Sequence, residues 1–182
     1  MRADKALIHV CCAHCAAYTL LFWQKQGYHV EAFWYNPNIH PQEEYYRRLE
    51  SVKKLLDEAG LPLIIYPDYQ PSAYFGAICG IEKERCKGCF LLRLEQTVIA
   101  ALEKGFTAFS SSLLISPHQE HDNILLTGNK LAEEHGICFL YSDLRRRYSD
   151  SRVITKHRDL YRQEYCGCIF SKQEKDSPRN AL

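Results

Sequence analysis

The sequence has no stretch approaching the roughly 18 continuous apolar residues of a membrane span, so no membrane partner is expected. Glycine and proline are sparse, 9 and 7 among 182 residues, which excludes a collagen-like fibre and a linker-rich chain. Neither sign of charge dominates: the formal net charge is +1. With 46% apolar and 25% charged residues, a mainly disordered chain and a coiled coil are also excluded. This length corresponds to about one domain. A domain of that size hides about 70% of the surface of its unfolded chain, so it needs neither disulfides nor metal merely to fold. Arg2 and Lys5 ahead of an apolar run imitate a secretory signal, but His9 and His14 interrupt the run and no small-residue cleavage site follows. The reading is a buried strand passing into a helix, in a cytoplasmic protein.

What the chain has in quantity is cysteine. Nine are present, and seven fall in three clusters: Cys11, Cys12 and Cys15; Cys86 and Cys89; Cys166 and Cys168. A secreted disulfide scaffold favours an even count in a shorter chain. Clustered thiols in a chain that needs no staples read as metal ligands or redox groups. Cys138 reads as a core strand residue, and Cys79 receives no assignment.

A helix-like segment ending in glycine and followed at once by a β-rich run recurs at Gly27, Gly60, Gly105 and Gly136. The runs are rich in Val, Ile, Phe and Tyr, as strands buried on both faces should be. Between them, Tyr45, Leu49, Val52, Leu56 and Ala59, then Leu91, Leu94, Val98 and Ala101, form single stripes at helical spacing. Ser116-Pro117 with Gln119 reads as a helix start, and Pro41 as another. These signals predict strands at 6–11, 28–35, 61–66, 106–111 and 137–141, and helices at 14–26, 41–59, 86–104 and 117–135. A C-terminal helix is expected near 152–165, an inserted loop or short helix at 67–85, and a polar, loosely held tail at 171–182. Strands alternating with helices imply an α/β fold with a parallel sheet covered on both faces. The expected organisation is one catalytic domain over 1–182, its α/β core at 1–143 and a basic C-terminal segment at 144–182.

In such sheets, ligands bind beyond the carboxyl ends of the strands. The first strand leads there into Cys11-Cys12-Ala13-His14-Cys15, three thiols at a helix start where thiolates are favoured. A nucleotide site would place glycines at this turn, and none is present. Cys86-Lys87-Gly88-Cys89 puts two thiols on one helix face, able to grip one metal. By itself it is half a zinc site or a redox pair, although a thioredoxin motif would follow the first strand directly. Cys11, Cys12, Cys86 and Cys89 together satisfy an iron–sulfur cluster, with four-thiolate zinc as the alternative. Cys166 and Cys168, one glycine apart, either close a short reducible disulfide or hold a further metal. Ser110, Ser111 and Ser112 end the fourth strand and either bind phosphate or ribose or cap local backbone. His118 and His121 read as surface or hydrogen-bonded residues.

The small net charge hides an asymmetry. Residues 144–182 carry ten basic and five acidic residues, and residues 1–143 carry thirteen and seventeen. Arg145, Arg146, Arg147 and Tyr148 open the basic segment, and Arg152, Lys156, Arg158 and Arg162 continue it among Tyr161 and Tyr165. Arginine pairs with phosphate and tyrosine offers a stacking face, so this segment is read as a nucleic-acid surface leading to Cys166 and Cys168.

Four stretches, HVCCAHC at 9–15, RCKGCFLLRLEQT at 85–97, FSSSLLISPHQEHDNI at 109–124 and YRQEYCGCIFS at 161–171, run through nearly the whole chain. In these it resembles the cobalamin-independent epoxyqueuosine reductases of the QueH type. The resemblance implies a Rossmann-like three-layer fold of the adenine-nucleotide α-hydrolase kind. It also implies an iron–sulfur oxidoreductase of the last step of tRNA queuosine biosynthesis, which removes the epoxide oxygen of epoxyqueuosine at the wobble position to give queuosine and water. By position, Cys11, Cys12, Cys86 and Cys89 match the ligands of a 4Fe-4S cluster. Cys166 and Cys168 match a catalytic pair, either a redox-active disulfide or ligands of a second, mononuclear iron that Cys15 completes. His14 stands where proline is expected. The implied partners are tRNA bearing epoxyqueuosine in its anticodon loop and an electron donor the sequence does not identify. Two other classes compete. An ATP-dependent tRNA-thiolating enzyme of related fold needs a Ser/Gly-rich loop where CCAHCA stands. A zinc-bound RNA-binding module would be colourless.

Overall fold

A computed structural model of the chain describes residues 4–66 and 69–177. Five parallel strands, β1 (Lys5–His9), β2 (His29–Trp34), β3 (Leu63–Ile65), β4 (Ala108–Ser111) and β5 (Cys138–Phe139), form one sheet in the order β3-β2-β1-β4-β5. Seven helices accompany them among the described residues: α1 (Ala13–Lys25), α2 (Gln42–Ala59), α3 (Pro71–Ile78), α4 (Arg85–Glu103), α5 (His121–His135), α6 (Tyr148–Thr155) and α7 (Ile169–Asp176). Strand residues alternate between two cores, as the pleat requires. Ala6, Ile8, Ala32 and Trp34 pack with Leu20 of α1 and Val52 of α2. Leu7, Phe33 and Phe109 pack with Leu94 and Val98 of α4 and Ile124 of α5. The sheet is thus the middle of three layers, as expected.

The chain runs outward from β1 through β2 to β3, then returns to lay β4 on the other side of β1. The carboxyl ends of β1 and β4 therefore flank the switch point where such sheets bind ligands, with His9 opposite Ser111 in register. Gly27, Gly60, Gly105 and Gly136 all take positive φ at the predicted helix–strand junctions.

Several boundaries differ from the sequence reading. α5 begins at His121, because Ser116 closes a local turn: its Oγ accepts from the His118 N–H at 3.3 Å. The last strand shrinks to an edge pair of residues, and Cys138 is exposed rather than buried in the core. The expected helix at 152–165 is the shorter α6 at 148–155, and 156–168 follows an irregular path fixed by side chains. The 67–85 insertion contains α3, and the predicted loose tail contributes α7. Arg2 and residues 178–182 lie outside the described residues. Among those described, no helix is long and apolar enough to cross a membrane.

Candidate active site

β1 delivers His9 to the switch point, where it is fully buried. Its Nδ1 lies 3.0 Å from Ser111 Oγ, and its Nε2 lies 3.2 Å from both the Tyr35 carbonyl and Asn36 Oδ1. Burial pushes its pKa down to about 4. The ring is neutral, with the Nε2–H donating to the two oxygens and Nδ1 accepting from the Ser111 hydroxyl.

The next turn gathers Cys11, Cys12 and Cys15. Cys12 caps α1, its Sγ accepting from the Cys15 N–H at 3.3 Å. Cys12 and Cys15 both hydrogen-bond to the Cys11 sulfur, which holds Cys11 well below the ordinary thiol range. The same contacts push Cys12 up to about 12 and raise Cys15. The three thiols expected at this helix start are brought together, and they do not titrate independently because like charges this close disfavour one another. Gln163 adds a donor, its Nε2 lying 2.9 Å from Cys12 Sγ.

α4 opens at Arg85, so Cys86 and Cys89 sit on its first turn. Burial pushes Cys86 up to about 11 and Cys89 up to about 12. Gly88 between them lets α3 pack directly on this turn: a Cβ there would lie 2.5 Å from the Ala77 carbonyl oxygen.

Cys166 and Cys168 are free thiols held by a buried arginine from α2. Arg48 donates to the Cys166 carbonyl at 2.9 Å, to the Tyr165 carbonyl at 3.0 Å and to Glu44 Oε1 at 2.7 Å. The other Glu44 oxygen accepts from the Tyr161 hydroxyl at 2.6 Å. Gly167 has φ 142 with Arg48 Nη1 3.3 Å from where a Cβ would stand, a position only glycine fills without strain. Burial opposes ionisation of Cys168. The Ser171 hydroxyl and amide, the Tyr74 hydroxyl and Arg85 outweigh it and hold this thiol below its usual range.

Two cavities adjoin these sulfurs. The larger, about 670 Å³, is lined by Cys11, Cys15 and Cys166 together with Arg48, Tyr148 and Arg162. The smaller, about 20 Å³, is lined by Cys86, Cys89, Cys166 and Cys168 together with Tyr74 and Arg93. Cys166 belongs to both walls. As they stand, the described residues include no group of three or more His, Cys, Asp or Glu side chains able to hold a metal ion. Cys86 packs against the core cluster that contains Cys11, Cys12 and Cys15, Cys89 packs with Cys168, and Arg93 lines the smaller cavity with Cys86 and Cys89. Arg93 is 1% exposed and donates through Nε to the Cys89 carbonyl at 3.1 Å. Its Nη2 has no hydrogen-bond partner, and the side chain lines the smaller cavity beside Cys86, Cys89, Cys166 and Cys168. A buried cation needs a counter-charge. An anionic metal–thiolate group supplies one, so the donor set and its cation fit an iron–sulfur centre.

The family model of epoxyqueuosine reductase QueH matches residues 6–174. The chain belongs to this family. A QueH epoxyqueuosine reductase from Dehalococcoides mccartyi is 50% identical over 179 residues, covering 98% of each chain. One from Thermotoga maritima is 34% identical, covering 93% of this chain and 91% of its own, and one from Streptococcus pyogenes is 34% identical, covering 91% and 69%. A crystal structure titled as a predicted subunit of a tRNA methyltransferase from Methanocaldococcus jannaschii superposes with TM-score 0.50 at 13% identity, covering 85% of this chain and 88% of that one. At that identity the likeness concerns the fold.

The remaining candidates divide sharply in this QueH chain. Of the two readings for the serines, local backbone capping is what the geometry shows: Ser110 donates to the Leu140 carbonyl at 2.7 Å and Ser111 accepts from the Leu113 N–H at 3.2 Å. His121 is buried 3.3 Å from the Ser116 carbonyl, whereas His118 lines the larger cavity. In the basic segment, Arg145 pairs with Asp143 at 2.8 Å, Arg147 with Asp150 at 3.1 Å and Arg158 with Glu58 at 3.0 Å. Tyr148 lines the larger cavity and Lys156 a neighbouring cleft. Sequence reasoning missed Arg48, Arg93, Glu44 and Gln163. A signal existed for two of them: Arg48 lies beside Leu49 in the α2 stripe, and Arg93 lies one turn beyond Cys89, both cations on buried faces.

Proposed function

We propose that this chain removes the epoxide oxygen of epoxyqueuosine in the tRNA anticodon loop, with two electrons and two protons yielding queuosine and water. The observation that carries the reading is that Cys86, Cys89, Cys166 and Cys168 line one small cavity with the buried Arg93, while Cys11, Cys15 and Cys166 line an adjoining cavity of about 670 Å³. That volume lies in the range of small-molecule sites and accommodates a nucleoside. Cys11, Cys12, Cys86 and Cys89 would hold a 4Fe-4S cluster, and Cys15, Cys166 and Cys168 would hold a second iron. Bound there, these groups supply single electrons and a Lewis acid for the epoxide oxygen.

The protein's own residues orient and tune. Arg93 offsets the negative charge of the thiolates. Gln163, Gln119 and Ser171 donate hydrogen bonds to the sulfurs of Cys12, Cys166 and Cys168, at 2.9, 3.5 and 3.4 Å, contacts that set a cluster's potential. Arg48 fixes the Cys166 backbone at the junction of the two cavities. The wobble base lies in a single-stranded loop, so it turns out without melting a duplex and stacks on Tyr148. The basic C-terminal segment meets the RNA, and an external donor returns electrons to the site.

The test is anaerobic reconstitution, followed by iron and sulfide counting and by reaction with epoxyqueuosine-containing tRNA and a chemical reductant. Brown protein that produces queuosine is expected. Colourless zinc protein, or loaded protein that leaves epoxyqueuosine intact, refutes the reading.

A further inference from the structure

Four described cations of the C-terminal segment, Arg146, Arg152, Lys156 and Arg162, face no carboxylate, and three of them share one cleft. Arg152, Lys156 and Arg162 are exposed and enter none of the ion pairs among the described residues. They line one cleft of about 530 Å³, together with His14, Ser149 and Val153. Asp159 is on the same wall, but its carboxylate already meets Lys54 at 3.6 Å. Arg162 also lines the thiol-bearing cavity, so the two spaces adjoin at its side chain. Arg145, Arg147 and Arg158 are engaged by Asp143, Asp150 and Glu58. A cation already on a carboxylate has little to gain from a phosphate, because the pair must first be broken.

We propose that this cleft binds the backbone phosphates of the RNA strand whose base enters the adjoining cavity, with Arg162 at the junction between phosphate and nucleoside. The inference rests on the RNA-substrate reading and moves the backbone contact from the Arg145–Arg147 turn to the outer face of α6 and the strand of chain after it. Three unpaired cations spread along an open cleft match a polyanion with regularly spaced charges. Val153 and Leu160 supply apolar wall for the sugar. Because α6 packs against α1 behind the Cys11–Cys15 turn, a backbone held there is positioned relative to the sulfurs by rigid elements.

The test measures binding of an unmodified anticodon stem-loop RNA to the full chain across a range of KCl concentrations. Each lost phosphate contact lowers the slope of log K against log salt by about 0.7 for a single strand. Arg152→Gln/Lys156→Gln therefore lowers it by about 1.4 and weakens binding about tenfold near physiological salt. Both side chains are exposed, so circular dichroism of the variant should match the parent. The pair Arg145→Gln/Arg147→Gln lowers the slope less. A wild-type slope in the 152/156 variant, or a larger loss in the 145/147 variant, overturns the proposal and leaves the RNA-substrate reading standing. Equal displacement of the RNA by inorganic phosphate at matched ionic strength also overturns it, since the cleft would then be a small-anion site. If the unaltered protein binds no stem-loop even at low salt, both fall together.

Discussion

The most demanding prediction concerns Arg48. Its guanidinium is 1% exposed, pairs with a Glu44 side chain that is 6% exposed, and satisfies the carbonyls of Tyr165 and Cys166. Burial disfavours the guanidinium charge, but the facing Glu44 carboxylate offsets it. Arg48→Met keeps most of the apolar stem while leaving Glu44 buried with only the Tyr161 hydroxyl, and two carbonyls without donors. Removing one partner of a buried pair costs about 3–5 kcal/mol. Adding Glu44→Gln removes the stranded charge, so the double variant should recover about 1–3 kcal/mol, a coupling typical of groups in one network. Urea unfolding of the reduced, metal-free protein measures both values, with an unchanged slope confirming that the same transition is followed. The loop should loosen as well, and Cys166 should react faster with a bulky alkylating agent. If Arg48→Met costs less than about 1 kcal/mol, or the double variant is no better than the single, the clamp does not work as described.

Three further outcomes follow from the same geometry. Gly88→Ala should destabilise the fold by about 1–3 kcal/mol, as overpacking does, because its Cβ falls 2.5 Å from a backbone oxygen of α3; an unchanged melting temperature would contradict that close approach. In reconstituted protein, Arg93→Met should lower the midpoint potential, since a nearby cation favours the more negative reduced state, and Arg93→Lys should recover part of the loss. A potentiometric titration with no shift would show that Arg93 does not face the metal-bearing sulfurs. Burial lowers the His121 pKa below 6.5, so as pH falls the unfolded chain takes up this proton first. Stability should therefore rise with pH through the interval just below 6.5 and be lost on acidification. His121→Gln should flatten that part of the pH profile of urea unfolding.

Much of the fold was legible because its signals are local. A glycine after each helix, a β-branched or aromatic run after each glycine and a single apolar stripe per helix need no distant partner to be recognised. The errors share a cause. Ser116-Pro117-Gln119 has a helix-start composition, yet the preceding 112–115 turn places Ser116 in a turn of its own. Cys138 sits in an apolar run, yet its strand pairs with only one neighbour, and that edge position leaves its side chain in solvent. The basic segment was visible as a charge count, but which of its cations are free depends on Asp143, Asp150 and Glu58, of which Glu58 belongs to a different part of the chain.

The linear order of residues by itself determined the layered α/β class, the family and the three thiol clusters, because composition, periodicity and motif spacing are properties of the chain alone. Only the folded molecule decided that Cys166 stands on the wall of both cavities, that Arg48 holds its backbone there, and that Arg93 is buried among sulfurs instead of carboxylates. Those relations join residues tens of positions apart, and the free energy of a buried charge is set by its neighbours in space, which no one-dimensional spacing encodes.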